Sequence, residues 1–131
     1  MEFSYRHSCL EEEPGIVVYA DFRLTPAPAE QIKAKMQELM NKRKTSQPLD
    51  MPSAGSAFKR PVGGYAAALI DQAGLKGFRV GGAEISTKHA GFAVNVGGAT
   101  AVDVQELLRQ VSDIVFEQTG IRLEPEVRLW N

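Results

Sequence analysis

Apolar and polar positions alternate through residues 16–24, with Ile16, Val18, Ala20, Phe22 and Leu24 on one side and Tyr19, Asp21 and Arg23 on the other. That period predicts a half-buried strand, opened by Pro14-Gly15 and stopped by Pro26-Ala27-Pro28. The period then changes. Through residues 29–43 the apolar side chains of Ile32, Met36, Leu39 and Met40 recur at helical spacing, with Lys33, Lys35, Glu38 and Lys42 facing away. A shorter helix is expected over residues 65–73, on a stripe of Ala66, Leu69, Ile70 and Ala73, with Gly74 ending it in the left-handed position. Gly77, Gly81 and Gly82 break any long strand, so short strands are expected at 78–80 and 83–85, and one more on Phe92, Val94 and Val96. The longest helix opens on a capping box of Thr100 and Asp103, buries Val104, Leu107, Leu108, Val111 and Val115, and stops at Gly120. A last strand alternates Leu123, Pro125, Val127 and Leu129 against Glu124, Glu126, Arg128 and Trp130.

Helices gathered around several short strands, without regular βαβ alternation, predict an α+β fold with a small mixed sheet packed against helices. A chain of 131 residues can bury one respectable core. The prolines at 26 and 28 mark a boundary, which separates residues 1–26 from 27–131. The net charge of −1 provides no long-range field for nucleic acid or an anionic membrane, so neither is expected as a partner. Any bound anion must be held by a local cluster of cations. No run approaches the roughly 20 apolar residues of a membrane span. Cys9 alone cannot close an internal disulfide, and with no apolar leader at the start this points to the cytosol. His7, Cys9 and His89 lack the compact spacing of a structural zinc site, so no metal is expected.

The chemistry is concentrated in Pro52-Ser53-Ala54-Gly55-Ser56-Ala57-Phe58-Lys59-Arg60-Pro61, which crowds prolines, hydroxyls, cations and a glycine into a poor helix and a specific turn. Gly55 lets the backbone approach a ligand beside the Ser56 hydroxyl. The same residues also describe a polar loop leading into a strand. Upstream, Asn41-Lys42-Arg43-Lys44 closes the first helix, where cations oppose the dipole by about 0.3–1 kcal/mol each. Such a run serves equally as a solvated cap or as a landing site for a diphosphate. The later glycines lack the spacing of a dinucleotide fingerprint.

Four further stretches accompany that segment: Leu69-Ile70-Asp71-Gln72-Ala73-Gly74-Leu75-Lys76-Gly77, Gly81-Gly82-Ala83-Glu84-Ile85-Ser86, Tyr5-Arg6-His7-Ser8, and Leu123-Glu124-Pro125-Glu126-Val127-Arg128. Together they resemble the UDP-N-acetylenolpyruvoylglucosamine reductases, flavoenzymes that make UDP-N-acetylmuramate for bacterial peptidoglycan. The resemblance covers nearly the whole chain, with its motifs in order. It implies an FAD-dependent, NADPH-using dehydrogenase of the bacterial cytoplasm that acts on UDP-N-acetylglucosamine enolpyruvate. Residues 1–26 then correspond to the last strand of the flavin-binding domain and 27–131 to the C-terminal substrate-binding domain. The flavin-cradling half is missing, so the chain alone is expected to bind no flavin tightly and to be inactive.

By the same resemblance, Ser56 matches the proton donor, and Glu126 and Arg6 match the acid and guanidinium that hold the substrate carboxylate and its enolate. A guanidinium suits that role because its planar fork engages two carboxylate oxygens. Tyr5, Lys44, Lys59 and Arg60 match substrate-binding positions, with the choice among Lys42, Arg43 and Lys44 open by a residue or two. The family often carries Asn where Arg60 stands. The residues by themselves leave other roles open: Arg6 in a frayed tail, Ser56 capping a turn, Glu126 on a wet strand face. They also leave open a non-enzymatic nucleotide-sugar binding module, and a folded fragment that dimerises through an exposed former domain interface. The enzymatic reading requires Ser56 and Glu126 to converge on one cleft. Gln47 and His89 receive no role.

Overall fold

The computed structural model describes residues 1–4, 7–13 and 15–128. It divides into two units, Met1–Lys33 and Ala34–Asn131. In the first, Ser4 and His7 exchange backbone hydrogen bonds of 3.1 and 3.3 Å, followed by a 3₁₀ turn at Cys9–Glu11. The strand expected over residues 16–24 does not form. Ile16, Val18, Tyr19 and Phe22 are all exposed, Ile16 to 91 %. Alternation alone does not make a strand, because β-propensity is realised only against a neighbour that completes the ladder. Among the described residues none does so here.

Helix α1, Ala29–Ser46, forms where the period predicts it and buries none of its residues. Ile32, Met36, Leu39 and Met40, the apolar stripe of that pattern, are exposed. What holds the helix is its own surface. Glu38 accepts from both Lys35 (2.9 Å) and Lys42 (2.6 Å), Gln37 donates to Asn41 (2.8 Å), and the Thr45 and Ser46 hydroxyls return to carbonyls four residues back. Pairs at this spacing add about 0.2–0.5 kcal/mol each. Hydrogen bonds from Lys42 and then Lys35 hold the Glu38 carboxyl below its ordinary value.

The second unit carries the core. Strands β1 (Ser53–Ser56), β2 (Arg79–Val80), β3 (Ala83–Ile85) and β4 (Phe92–Asn95) form one sheet in the order β1-β4-β3-β2. All three pairings are antiparallel, where a mixed sheet was expected. Helix α3 (Ala101–Thr119) packs against β2 and β3, and α2 (Ala66–Gln72) packs against α3, so the α+β class stands. Ile70, Ile85, Leu107, Val111 and Val115 are sealed between the layers. Gly74 and Gly120 end the two helices at φ of 71° each, in the left-handed region that glycine adopts without a Cβ penalty. Residues 123–128 form no strand beyond one bridge between Phe58 and Pro125, and Leu129 and Trp130 lie outside the described residues. Pro125 has no N–H to extend a ladder. No helix among the described residues is long and apolar enough to cross a membrane.

The start of α3 is locked to the sheet. Thr100 Oγ1 accepts the Asp103 N–H at 3.1 Å, and Asp103 Oδ2 accepts the Thr100 N–H at 2.9 Å, closing the capping box. The same carboxylate accepts the Gly82 N–H at 3.5 Å, from the two-residue turn between β2 and β3. A Cβ on Gly82 would run into the backbone of Gly97 and Ala99, and one on Gly81 into the Asp103 carboxyl.

Hydrogen bonding to the carboxyl from the Thr100 backbone, and then from its side chain, holds Asp103 below its ordinary value of 3.8, and hydrogen bonds from Arg109 bring Glu106 down to about 2. Folded values below the unfolded ones mean stability that is present above pH about 4.5 and lost as pH falls toward about 2. The thermal midpoint, followed by circular dichroism, is expected to be flat from neutrality to about pH 5 and to drop below it. Thr100→Ala should lower the neutral-pH stability by about 1 kcal/mol.

Candidate functional site

Ser56 ends β1, an edge strand that carries one extra residue. Ser53 pairs with Val94 and Ser56 with Phe92, so three steps along β1 match two along β4. Gly55 takes up the irregularity at φ 93°, with no atom within 4 Å of where a Cβ would stand. Ser53 Oγ donates to the Ala93 carbonyl at 2.8 Å and accepts the Gly55 N–H at 3.2 Å. The turn expected from the composition is therefore a bulge inside a strand, a device that re-aims side chains at a sheet edge. After it Ser56 is exposed, while Ala57 and Phe58 are both buried, at 1 % and 4 %.

Burial obliges Ala57 to satisfy both of its backbone groups. Its N–H donates to Gly91 at 2.8 Å and its carbonyl accepts the Glu126 N–H at 2.9 Å. One residue on each side of the Phe58–Pro125 bridge, the Lys59 N–H donates to the Glu124 carbonyl at 2.8 Å. Glu126, half-buried, is thus tied to the residue that follows Ser56. Of the residues singled out in the sequence, these two are brought to adjoining segments by the backbone itself. Behind them Ser112 Oγ donates to the Leu123 carbonyl at 2.8 Å, fastening residues 123–127 to α3. A cavity of about 270 Å³ opens there, floored by Leu108, Leu123, Pro125 and Val127 and rimmed by Arg109, Asp113 and Arg122; neither Ser56 nor Glu126 lines it.

The neighbouring cations already have partners. Lys59 forms an ion pair with Glu124, both side chains exposed. Arg60 donates from Nε to the Gly64 carbonyl at 3.2 Å and lays its guanidinium 4.0 Å from the centroid of the Tyr65 ring. Exposed ion pairs contribute about 0–1 kcal/mol, so an anionic ligand can exchange for Glu124 at small cost. In the basic run, Lys42 is paired with Glu38 and Arg43 Nε donates to Gln47 Oε1 at 3.0 Å. Lys44 is exposed, and its carbonyl accepts the Lys88 ammonium at 2.6 Å. The cation that reaches a carbonyl at the end of α1 thus comes from the loop between β3 and β4. Nothing in the local pattern signals a contact between residues this far apart. Tyr5 and Arg6 lie outside the described residues.

The sequence reading also assigned nothing to the turn at residues 86–91. There Ser86 Oγ accepts the N–H groups of Lys88 (3.2 Å) and His89 (3.4 Å), and His89 Nδ1 accepts the N–H of Gly91 at 3.1 Å. A serine followed by a ring acceptor two residues before a glycine is the signal that marks it. Among the described residues no three His, Cys, Asp or Glu side chains gather as metal ligands would.

Residues 47–130 match the family model described as the UDP-N-acetylenolpyruvoylglucosamine reductase C-terminal domain. The chain is 52 % identical over 129 residues to the UDP-N-acetylenolpyruvoylglucosamine reductase of Agathobacter rectalis, covering 98 % of this chain and 41 % of that protein. The reductase of the same name from Caldanaerobacter subterraneus is 50 % identical, with 98 % and 43 % covered. The chain therefore spans about two fifths of the length of these relatives. Among solved structures, the UDP-N-acetylenolpyruvylglucosamine reductase of Thermus caldophilus superposes with a TM-score of 0.65 at 47 % identity, over 82 % of this chain and 38 % of that one.

The Lys88 contact yields a direct test. Lys88→Met keeps the apolar stem and removes the ammonium, so amide exchange at Gln47, whose N–H is bonded to Arg43, should quicken about two- to fivefold. Amides of β4 should be unaffected.

Proposed function

The chain belongs to the UDP-N-acetylenolpyruvoylglucosamine reductase family through its C-terminal domain, and from that premise we propose that it is the substrate-holding part of an oxidoreductase. In this reading the whole enzyme uses FAD and NADPH to reduce UDP-N-acetylglucosamine enolpyruvate to UDP-N-acetylmuramate, in the cytoplasm, for peptidoglycan. Residues 1–26 belong to the flavin-binding region and 27–131 to the substrate domain. The observation that carries the reading is the Glu126 N–H to Ala57 carbonyl bond, which sets a carboxyl-bearing segment beside the Ser56 strand.

The N-terminus of helix α3 does not fit the flavin. Its diphosphate needs a helix N-terminus or a ring of free backbone N–H groups. At the long helix α3 that place is filled by the Asp103 carboxylate, which takes the Thr100 and Gly82 N–H groups and would repel a phosphate. A flavin held by the flavin-binding region of the whole enzyme would supply the hydride that no side chain can donate. What remains for this chain is to bind, orient and protonate.

Ser56, exposed at the end of a bulged edge strand, is placed to hand a proton to the carbon beside the substrate carboxylate. A hydroxyl gives up a proton only where neighbours relieve the charge it develops. Glu126, with Arg6, holds the carboxylate and its enolate, the group on which negative charge grows. Lys59 and Arg60, exposed just beyond Ser56, take the substrate's diphosphate end with Lys44, and Tyr5 contacts the substrate as well.

The exposed row of Met36, Leu39 and Met40 on α1 favours a second reading, in which isolated chains associate into a dimer. A solution mass that rises with concentration toward twice the monomer supports it; a constant monomer mass removes it.

For the main reading, the purified chain should be colourless and oxidise no NADPH; flavin absorbance in the purified protein would count against it. Calorimetric titration with UDP-N-acetylglucosamine separates an enzyme domain from a free-standing receptor, which should bind it measurably and lose little on Ser56→Ala. In the flavin-loaded full-length enzyme, Ser56→Ala should lower kcat by about 10²-fold or more while changing KM little.

A further inference from the structure

We propose that His89 is a positioning residue for Ser56, fixing the turn between β3 and β4 that in turn holds the serine's strand. The proposal rests on the reading of Ser56 as proton donor. The imidazole touches Gly91 and Phe92, the residues that pair with Ala57 and Ser56 at the end of this strand. Its Nδ1 accepts the N–H of Gly91 at 3.1 Å, and its ring meets Phe92 edge to face, centroids 5.1 Å apart at 83°. Gly91 is the residue whose carbonyl takes the Ala57 N–H at 2.8 Å, and Phe92 is the register partner of Ser56.

The turn is built to make this geometry the resting one. Ser86 Oγ accepts the Lys88 and His89 N–H groups, and the His89 carbonyl accepts the Phe92 N–H at 3.0 Å, so the His89 backbone is held from both sides. Gly91 is buried, and a Cβ there would stand 3.1 Å from the His89 ring and 3.2 Å from the Ala67 Cβ. The ring and the glycine thus fit one another with no slack. Accepting the N–H two residues ahead is what an Asn or Asp δ-oxygen does in an Asx turn, and Nδ1 lies the same number of bonds from Cα.

Such a clamp is needed because Ser56 itself is weakly restrained. It is exposed, at the end of an edge strand, just past a bulge whose Gly55 has open space around it. Proton delivery demands placement to within a fraction of an ångström, and a displacement of about 1 Å costs about 10² in rate. The path from His89 Nδ1 through Gly91 to Ala57 is two hydrogen bonds long, the first from the Gly91 N–H to the ring and the second from the Ala57 N–H to the Gly91 carbonyl.

Three variants test it: His89→Ala removes the acceptor, His89→Gln fills the space but carries its acceptor one carbon too far, and His89→Asn returns an oxygen to the position of Nδ1. In the chain, amide exchange followed by NMR should quicken about tenfold at Gly91 and at Ala57 in His89→Ala and His89→Gln, and stay within about threefold of the parent in His89→Asn. In the flavin-loaded full-length enzyme the first two should lower kcat about tenfold with KM within about twofold, and His89→Asn should recover at least about half of kcat. Should His89→Ala not fold, the comparison of Gln with Asn decides alone. Unchanged exchange at Ala57, or an Asn variant as slow as the Gln variant, overturns the proposal. A parallel Ser56→Ala enzyme separates the two levels. If it keeps full turnover, the reading of Ser56 falls and the proposal with it; if it loses turnover while His89→Gln keeps it, only the positioning role falls.

Discussion

A single buried peptide unit organises the second unit of this molecule. Ala57 is sealed from water, and both of its backbone groups must find partners within the protein or leave a desolvation penalty of about 1–3 kcal/mol each. The partners it finds, Gly91 and Glu126, come from the end of the β3–β4 turn and from the segment after α3. Two long-range closures are thereby set at one residue. Ser112, bonded from α3 to the Leu123 carbonyl, brings the last segment within reach, so the packing of the longest helix and the placing of Glu126 are one event. The exposed hydroxyl next to this unit inherits a rigid footing that its own edge strand does not supply.

Periodicity was a sound guide wherever an element pays its burial locally. In α3 the apolar positions Leu107, Leu108, Val111 and Val115 are buried as their spacing predicts, and the capping box of Thr100 and Asp103 is closed by both of its bonds. Helix α2 and the short strands β2 to β4 likewise lie within a residue or two of their expected bounds. The pattern misled where it needed a partner surface. Residues 16–24 alternate like a strand, and α1 carries a helical stripe, yet their apolar side chains are exposed. Hydrophobic spacing states which face an element would bury, and the presence of something to bury it against is a separate fact.

The site was legible to a different degree. Composition marked residues 52–61 as special, and the structure shows why: Gly55 at positive φ and Ser53 reaching across to Ala93 make a bulge that turns out the following serine. The nearness of Glu126 has no local signature, because it is written in backbone hydrogen bonds that any residue but proline can make. The same holds for Lys88 at the end of α1. His89 is intermediate. Its Ser86-x-x-His89-x-Gly91 setting does encode a turn, but a histidine in that place attracts suspicion as a metal ligand or base before it is considered as a turn former.

The two-glycine turn between β2 and β3 carries an implication for recombining such domains. Gly81 and Gly82 are jammed against the capping carboxylate and the backbone just ahead of α3, with space for neither a side chain nor an inserted residue. A hybrid assembled from two relatives would have to inherit the hairpin and the first turn of the long helix from one parent. Crossovers between them would mismatch a lock with another's key, whereas a junction in the open loop near Val62 would leave that fit whole.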